Sequence, residues 1–281
     1  MGWHGHLKLD YRSSSSNGGG PRTTVLDSHN GPLRVLQSLY PEGDAVCHNV
    51  LVHPPGGIVS GDVLAIDVNV QAGSHALITT PGATRFYRSL GAPGLQTLTT
   101  RVAEGGRFEW LPLETILYPD TLAENRMRFE LAPGAEMMGW DVLALGLPAS
   151  DQPYDRGRYT QSIELPGVWL ERAQIDGQDT HLLRSPLGWA GHSVLATMWF
   201  ASGTALTNTR REELLDAARE AISSDPLRAT AGCSSPHAEV VVLRALAHRV
   251  EPAMHLLTQV WQRWRKLGWS LAGTPPRVWR T

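Results

Sequence analysis

The chain has 281 residues, of which 42% are hydrophobic and 19% are charged, and its formal net charge is -2. This composition excludes a disordered chain, and the near-neutral charge provides no basic field for binding nucleic acid or an anionic membrane. The two cysteines, Cys47 and Cys233, are too few for a disulfide framework, and no apolar run approaches the ~20 residues of a membrane span. We therefore expect a cytoplasmic protein with reduced thiols.

The N-terminal region predicts two strands, at residues 7–11 and 24–26. Residues 13–21 between them combine serines and glycines with one proline, which is typical of flexible connections. Because too little chain precedes this segment to form a domain, we interpret residues 13–21 as a flexible loop rather than as an interdomain linker.

Residues 45–200 have the pattern of strands and no convincing helical period. Apolar residues alternate with polar ones or form short runs, and glycines and prolines separate the runs. The fold class is therefore predicted to be mainly β. The predicted strands are 63–70, 75–79, 95–102, 107–111, 127–131 and 136–145.

A weak internal repeat divides this β region. The segments 72–77, 104–109 and 133–138 each place a glycine between the end of one strand and the start of the next. Their spacing of about 30 residues suits the stacked coils of a β-solenoid. Glycine turns also recur in other β proteins, so this pattern alone leaves both architectures open.

Two helices are predicted toward the C-terminus, at residues 209–224 and 252–267, with one more strand at 240–243 between them. The first helix has Thr209 as a candidate N-cap and is followed by Pro226. The second starts at Pro252 and is expected to end at Gly268. Leu257, Trp261 and Trp264 form an apolar stripe on this second helix. Such a stripe is either core packing or a surface for a partner, and the sequence does not choose between them.

No enzyme signature is present in the sequence. There is no phosphate-binding glycine loop, no zinc-spaced cysteine pair and no nucleophile motif. The most distinctive segments, residues 53–62 and 79–89, are rigid and rich in proline and glycine, and neither arranges a nucleophile beside a base. These absences argue against the common enzyme classes.

These two segments carry a resemblance to a known family. H-P-P-G-G-I-V-S-G-D at 53–62 and T-T-P-G-A-T-R-F-Y-R-S at 79–89 resemble the signature of the urease accessory protein UreD (UreH) family. Further blocks at 109–116, 139–148, 170–172 and 275–281 are similar to family blocks in the expected order. The chain is thereby identified as a single UreD-like domain spanning residues 1–281. Three departures are the serine and glycine run at 13–20, Ser60 in place of a usual glycine, and a weak match over 175–193.

The resemblance implies a helix-poor fold of stacked strands that serves as a nickel-delivery scaffold and is not an enzyme. It implies three partners: the accessory protein UreF, the GTPase UreG bound through UreF, and apo-urease. No cofactor is expected to be tightly bound, and Ni²⁺ is expected only in transit through an internal passage. Oxygen ligands suit such a passage, since cages of Cys and His would trap the ion. The residues similar to those of the family's passage are Asp62, Thr84, Asp141 and Glu171.

Two other functions stay open at this stage. A β-helix hydrolase or lyase acting on polysaccharide would use Asp62, Asp141 and Glu171 as acid and base, and would display them in an open groove. A β-solenoid binding module would have no role in metal transfer.

Overall fold

The computed structural model of the protein describes residues 2–15 and 20–280. Its strands, in chain order, are β1 (His4–Ser15), β2 (Pro21–Asn30), β3 (Arg34–Val35), β4 (Val46–Val52), β5 (Val63–Val70), β6 (His75–Thr79), β7 (Thr84–Phe86), β8 (Gly94–Val102), β9 (Arg107–Trp110), β10 (Thr115–Leu117), β11 (Thr121–Leu131), β12 (Glu136–Leu145), β13 (Gly157–Leu165), β14 (Trp169–Asp176), β15 (Val194–Ser202), β16 (Ala231–His237) and β17 (Val240–Ala247). The helices are α1 (Thr180–Arg184), α2 (Asn208–Ser223) and α3 (Val250–Trp269), with short 3-10 helices at Pro148–Ser150 and Arg277–Arg280.

The centre of the fold is a β-solenoid of about four turns, which confirms the mainly β, solenoid-like prediction. Strands β5, β8, β11 and β13 stack in parallel on one side, and β4, β6, β9 and β12 stack in parallel on the other. The chain therefore alternates between two sheets as it advances.

The glycine repeat marks the corners of this solenoid. Gly73, Gly105 and Gly134 have φ angles of 66°, 68° and 76°, a region that residues with a Cβ rarely adopt. They connect β5 to β6, β8 to β9 and β11 to β12. A turn that only glycine adopts readily thus recurs once in each coil, and this recurrence is the physical basis of the repeat.

Further strands extend both sheets beyond the solenoid. Sheet I has the order β14-β13-β11-β8-β5-β1-β2, and sheet II has the order β16-β17-β15-β12-β9-β6-β4-β3 with β7 and β10 alongside. One hydrophobic core lies between the sheets, where Phe129 of sheet I contacts Trp199 of sheet II with ring centroids 5.5 Å apart. A second core lies between sheet II and the helices. Sheet II is therefore covered on both faces.

The two main helices occupy the predicted places, but their ends differ from the prediction. Thr207, not Thr209, caps α2, because its side chain accepts a hydrogen bond from the Arg210 amide. Gly268 lies inside α3, which ends at Trp269 and has Ser270 as its C-cap in the left-handed region. A Cβ on Gly268 would lie 2.9 Å from the Phe200 ring. Gly268 therefore allows α3 to pack closely against Phe200, and it does not end the helix.

The apolar stripe of α3 is buried in the second core. Leu257, Trp261 and Trp264 are each 0% exposed, and the Trp264 indole donates a hydrogen bond to the Leu214 carbonyl of α2. The interpretation of Leu257, Trp261 and Trp264 as a partner-facing surface is therefore wrong for this structure. The stripe packs the helix against its own domain.

The predicted loop at 13–21 is shorter than expected. Strand β1 continues through Ser15, and β2 begins at Pro21, with Ser15 and Pro21 in register across the pair. The remaining part of the loop prediction, residues 16–19, lies outside the described residues.

Gly139 allows an unusually close contact within sheet II, which a substitution would disturb. It lies opposite Trp199 in the β12–β15 register, and a Cβ there would lie 2.3 Å from that ring. Trp199 is itself held against Phe129 and Trp169. We expect Gly139→Ala to lower the free energy of unfolding by about 1–3 kcal/mol through overpacking.

Urea denaturation of Gly232→Ala provides the matched control, because a Cβ at that strand position meets no atom within 4 Å. We expect Gly232→Ala to change stability by less than about 0.5 kcal/mol. Equal effects of the two substitutions would contradict the close-contact explanation.

Candidate functional site: a buried polar row between the sheets

Three neighbouring strands of sheet I place amide side chains on the face that meets sheet II. Gln96 of β8 pairs in register with Asn125 of β11, and Asn125 pairs with Gln161 of β13. Gln96 donates a hydrogen bond of 3.4 Å to the Asn125 side-chain oxygen. Asn125 and Gln161 are 2% and 5% exposed, so polar groups continue across the middle of an otherwise apolar face.

Sheet II carries a matching set of polar side chains. Asp141 of β12 lies opposite Thr197 of β15, and Thr197 lies opposite Arg244 of β17. Asp141 and Thr197 are buried, whereas the Arg244 side chain is 41% exposed. This line of groups therefore leads from the interior toward the surface.

Two contacts join the sheets along these lines. Gln161 donates a hydrogen bond of 2.6 Å to Asp141. Arg244 donates two hydrogen bonds to the carboxylate of Glu171 on β14, and its Nε lies 3.0 Å from Oε1. We use "polar row" for the set Gln96, Asn125, Gln161, Asp141, Thr197 and Arg244.

The two end residues of the polar row each line a surface pocket. Gln96 lines the first pocket together with Thr84, Thr80 and His53, and we name it the Thr84 pocket. Arg244 lines the second, which we name the Arg244 pocket. Its other lining residues include Trp189, Cys233 and Leu246. The row therefore spans the intersheet core from one pocket to the other.

Asp141 is the titratable group at the centre of the row. Burial raises the pKa of Asp141 to about 6, against the opposing effect of the Gln161 hydrogen bond. Burial and the charge of Asp141 also raise the pKa of the neighbouring Tyr159 hydroxyl well above its ordinary value. The carboxylate is therefore costly to ionise here, and at neutral pH it presents a partly unsatisfied negative charge.

The four residues predicted to line a passage do not lie together. Asp141 belongs to the polar row, Glu171 is bound to its Arg244 end, and Thr84 lines the pocket at its Gln96 end. Asp62 lies apart: its carboxylate accepts hydrogen bonds from the Trp3 and Val59 amides, at 2.8 and 3.0 Å. The structure thus assigns Asp62 a turn-capping contact.

Asp62 still acts electrostatically on the Thr84 pocket. Burial lowers the pKa of His53 in that pocket, and the charge of Asp62 partly offsets this effect. Asp62 therefore contributes negative potential at His53, which lines this pocket.

The sequence interpretation missed five members of the polar row: Gln96, Asn125, Gln161, Thr197 and Arg244. For Asn125 and Gln161, a signal existed in the period-two pattern. Asn125 shares its strand face with Met127 and Phe129, and Gln161 shares its face with Tyr159 and Ile163. A polar residue in the apolar series of a strand predicts a buried polar group.

Residues 2–15 and 20–280 contain neither a metal-binding cluster nor a membrane-spanning helix. No group of three or more His, Cys, Asp or Glu side chains could hold a metal ion there. No helix in that part of the chain is long and apolar enough to cross a membrane. The oxygen donors of the polar row are distributed singly along it.

Comparison with known proteins gives a consistent result over the whole chain. The family described as UreD urease accessory protein matches residues 4–280. The urease accessory protein UreD of Leptothrix cholodnii is 59% identical over 281 residues, and that of Variovorax paradoxus is 58% identical over 281 residues, each with 100% of both chains covered. The UreD protein of Methylibium petroleiphilum is 57% identical over 296 residues, again with 100% of both chains covered. This chain therefore belongs to the UreD family of urease accessory proteins.

Proposed function

We propose that the chain is a scaffold for nickel delivery to apo-urease and that the polar row is the path of the ion. In this role it binds apo-urease and UreF, receives nickel from UreG through UreF, and catalyses no reaction of its own. The observation that carries the proposal is the line of buried polar side chains between the Thr84 pocket and the Arg244 pocket.

The donor chemistry of the row suits transit. Asp141 supplies one carboxylate, and Gln96, Asn125 and Gln161 supply amide oxygens. Single oxygen donors bind Ni²⁺ more weakly than sets of imidazole or thiolate ligands. An ion that is exchanged between such sites can enter and leave, which is the condition for conduction.

The surroundings of the carboxylates favour a passage over a polysaccharide-cleaving site. Asp141 is 5% exposed and faces the opposite sheet, and Asp62 holds two backbone amides. A glycosidase needs two carboxyl groups on either side of an accessible sugar. We place the protein in the cytoplasm, where the thiols of Cys47 and Cys233, both free in the structure, would stay reduced.

Urease activation tests this function. Apo-urease, Ni²⁺, bicarbonate, GTP, UreF and UreG are combined with or without the chain, and urease activity is measured. We expect activation to require the chain and to fall to about a tenth with Asp141→Asn, because losing one ligand charge raises the barrier to passage by about 1.4 kcal/mol or more.

Asp67→Asn is the matched control, since Asp67 is a half-exposed β5 residue paired with His6. It should activate like the wild type, and both variants must first be shown to assemble equally with UreF. Normal activation by Asp141→Asn would remove the polar row from the nickel path and leave only the scaffold role. Activation without the chain would refute both.

A further inference from the structure

The Arg244 end of the polar row is occupied by an ion pair. Arg244 is bound to both carboxylate oxygens of Glu171 through its Nε and one Nη. This forked arrangement is the strongest geometry for an arginine and a carboxylate. Glu171 therefore has its negative charge already neutralised by a residue of the opposite sheet.

The position of Arg244 places this pair between the buried carboxylate and the surface. Thr197 lies directly between Asp141 and Arg244 in the strand register, and Arg244 lines the Arg244 pocket. An ion moving along the polar row from Asp141 toward this pocket must pass the guanidinium. Within the row, Arg244 is the residue with a fixed positive charge.

A guanidinium at this point opposes the passage of a divalent cation in two ways. It presents only N–H donors, which cannot bind a cation, and its charge cancels the attraction that Glu171 would otherwise exert on the ion. It also occupies the Glu171 oxygens that would otherwise bind the ion. In this closed form, the row has the Asp141 carboxylate inside and the Arg244–Glu171 ion pair, which offers no free ligand, at its end.

The Arg244–Glu171 ion pair is partly exposed to solvent and can therefore separate. The side chains of Arg244 and Glu171 are 41% and 25% exposed, so the arginine can turn toward solvent without crossing the core. Resting on the proposed function, we propose that Arg244 is the gate of the passage: a nickel ion leaves or enters at this end only when the Arg244–Glu171 pair opens and Glu171 becomes a ligand.

Binding of Ni²⁺ alone to the purified full-length chain tests the gate without urease. Equilibrium dialysis at pH 7 compares the wild type with Arg244→Gln, which removes the positive charge and frees Glu171. We expect the variant to gain at least about tenfold in affinity for one Ni²⁺. The double variant Arg244→Gln, Glu171→Gln should return to the wild-type affinity.

Arg128→Gln is the matched control, because Arg128 pairs with Glu130 and Glu164 on the exposed face of sheet I. Its removal frees Glu164, while Glu130 keeps its pair with Arg101. Because Glu164 lies outside the polar row, we expect no gain in affinity. If Arg244→Gln does not fold, Arg244→Met is used in the same comparison.

Equal affinity of the wild type and the folded Arg244 variant would overturn the gate, as would an equal gain with Arg128→Gln. The passage itself is judged by the activation assay with Asp141→Asn, which does not involve Arg244. Normal urease activation by Asp141→Asn would refute the passage. The Ni²⁺-binding experiment would still show whether Arg244 shields Glu171, so failure of the passage and failure of the gate can be told apart.

Discussion

Arg265→Met is expected to lower the free energy of unfolding by about 3–5 kcal/mol, the usual effect of removing one partner from a buried ion pair. Arg265 lies on α3 with its side chain 0% exposed. It donates hydrogen bonds to Glu109 at 3.1 Å and to both oxygens of Glu42, at 2.6 and 3.1 Å. Methionine would leave two buried carboxylates without their cation.

Among the side chains around Glu109, Arg265 contributes most to keeping its carboxylate ionised. Burial opposes its ionisation, but Arg265 and the hydrogen bond from His75 outweigh burial and hold the pKa of Glu109 below its ordinary value. The Trp261 indole donates to its second oxygen at 2.6 Å. Burial meanwhile lowers the pKa of His75, despite the bond to Glu109. The imidazole therefore offers a neutral N–H, and the compensating positive charge comes mainly from Arg265.

Glu42, the second carboxylate bound to Arg265, connects this buried cluster to the N-terminal half of the chain. His48 of β4 donates a hydrogen bond of 2.8 Å to Glu42, and burial opposes ionisation of Glu42 while His48 and Arg265 lower its pKa. One α3 side chain thus joins the loop before β4 to strand β9. We expect Arg265→Met to loosen α3 from sheet II.

Urea denaturation at pH 7 measures this effect, with Arg263→Met as the control. Arg263 lies two residues away on the same helix, and its pair with Glu220 is largely exposed. Exposed pairs contribute about 0–1 kcal/mol. If both variants lost the same small amount, the buried cluster would not be what holds α3 in place.

The strands and glycine corners of the solenoid could be predicted because their determinants are local, whereas the repeat alone did not distinguish the solenoid from other β architectures. Each coil carries its own period-two pattern and its own glycine corner, as at Gly73 and Gly105. The Arg265 cluster has no local determinant, since Glu42 and Arg265 are 223 positions apart. Only the packing of α3 over sheet II brings them together.

The residues of the candidate site could be predicted only in part, because their contacts also depend on how distant segments pack together. The resemblance indicated Asp141 and Glu171, and the structure places both between the sheets. It also indicated Asp62, whose contacts are to its own turn and to Trp3, the residue before β1. The identity of Arg244 as the partner of Glu171 depends on which strand of sheet II faces β14, and a strand pattern carries no information about that choice.

Asp141 is expected to make the protein less stable as the pH rises from about 4 to about 6. Burial raises its pKa from an ordinary 3.8 to about 6 in the folded protein, so the folded state binds more protons than the unfolded state in this range. Stability then falls with increasing pH. The rise in pKa corresponds to a loss of stability of about 3 kcal/mol. This loss is absent below pH 4 and fully expressed above pH 6.

Asp141→Asn isolates this effect, because asparagine is uncharged at every pH and keeps a hydrogen-bonding group for Gln161. Unfolding free energies from urea titrations at pH 4, 5, 6 and 7 are compared between the wild type and the variant. We expect the wild type to lose about 3 kcal/mol relative to Asp141→Asn over this range. Asp67→Asn, at the half-exposed pair with His6, should not change the pH profile in this way.

The same experiment bears on the nickel path. A carboxylate that is costly to ionise in the empty protein is stabilised when a cation lies beside it, so Ni²⁺ at Asp141 would offset the destabilisation measured above pH 6. Parallel pH profiles for the wild type and Asp141→Asn would mean that the charge at Asp141 is already compensated in the folded protein. The polar row would then lack the uncompensated negative charge that makes Asp141 a stopping point for a cation.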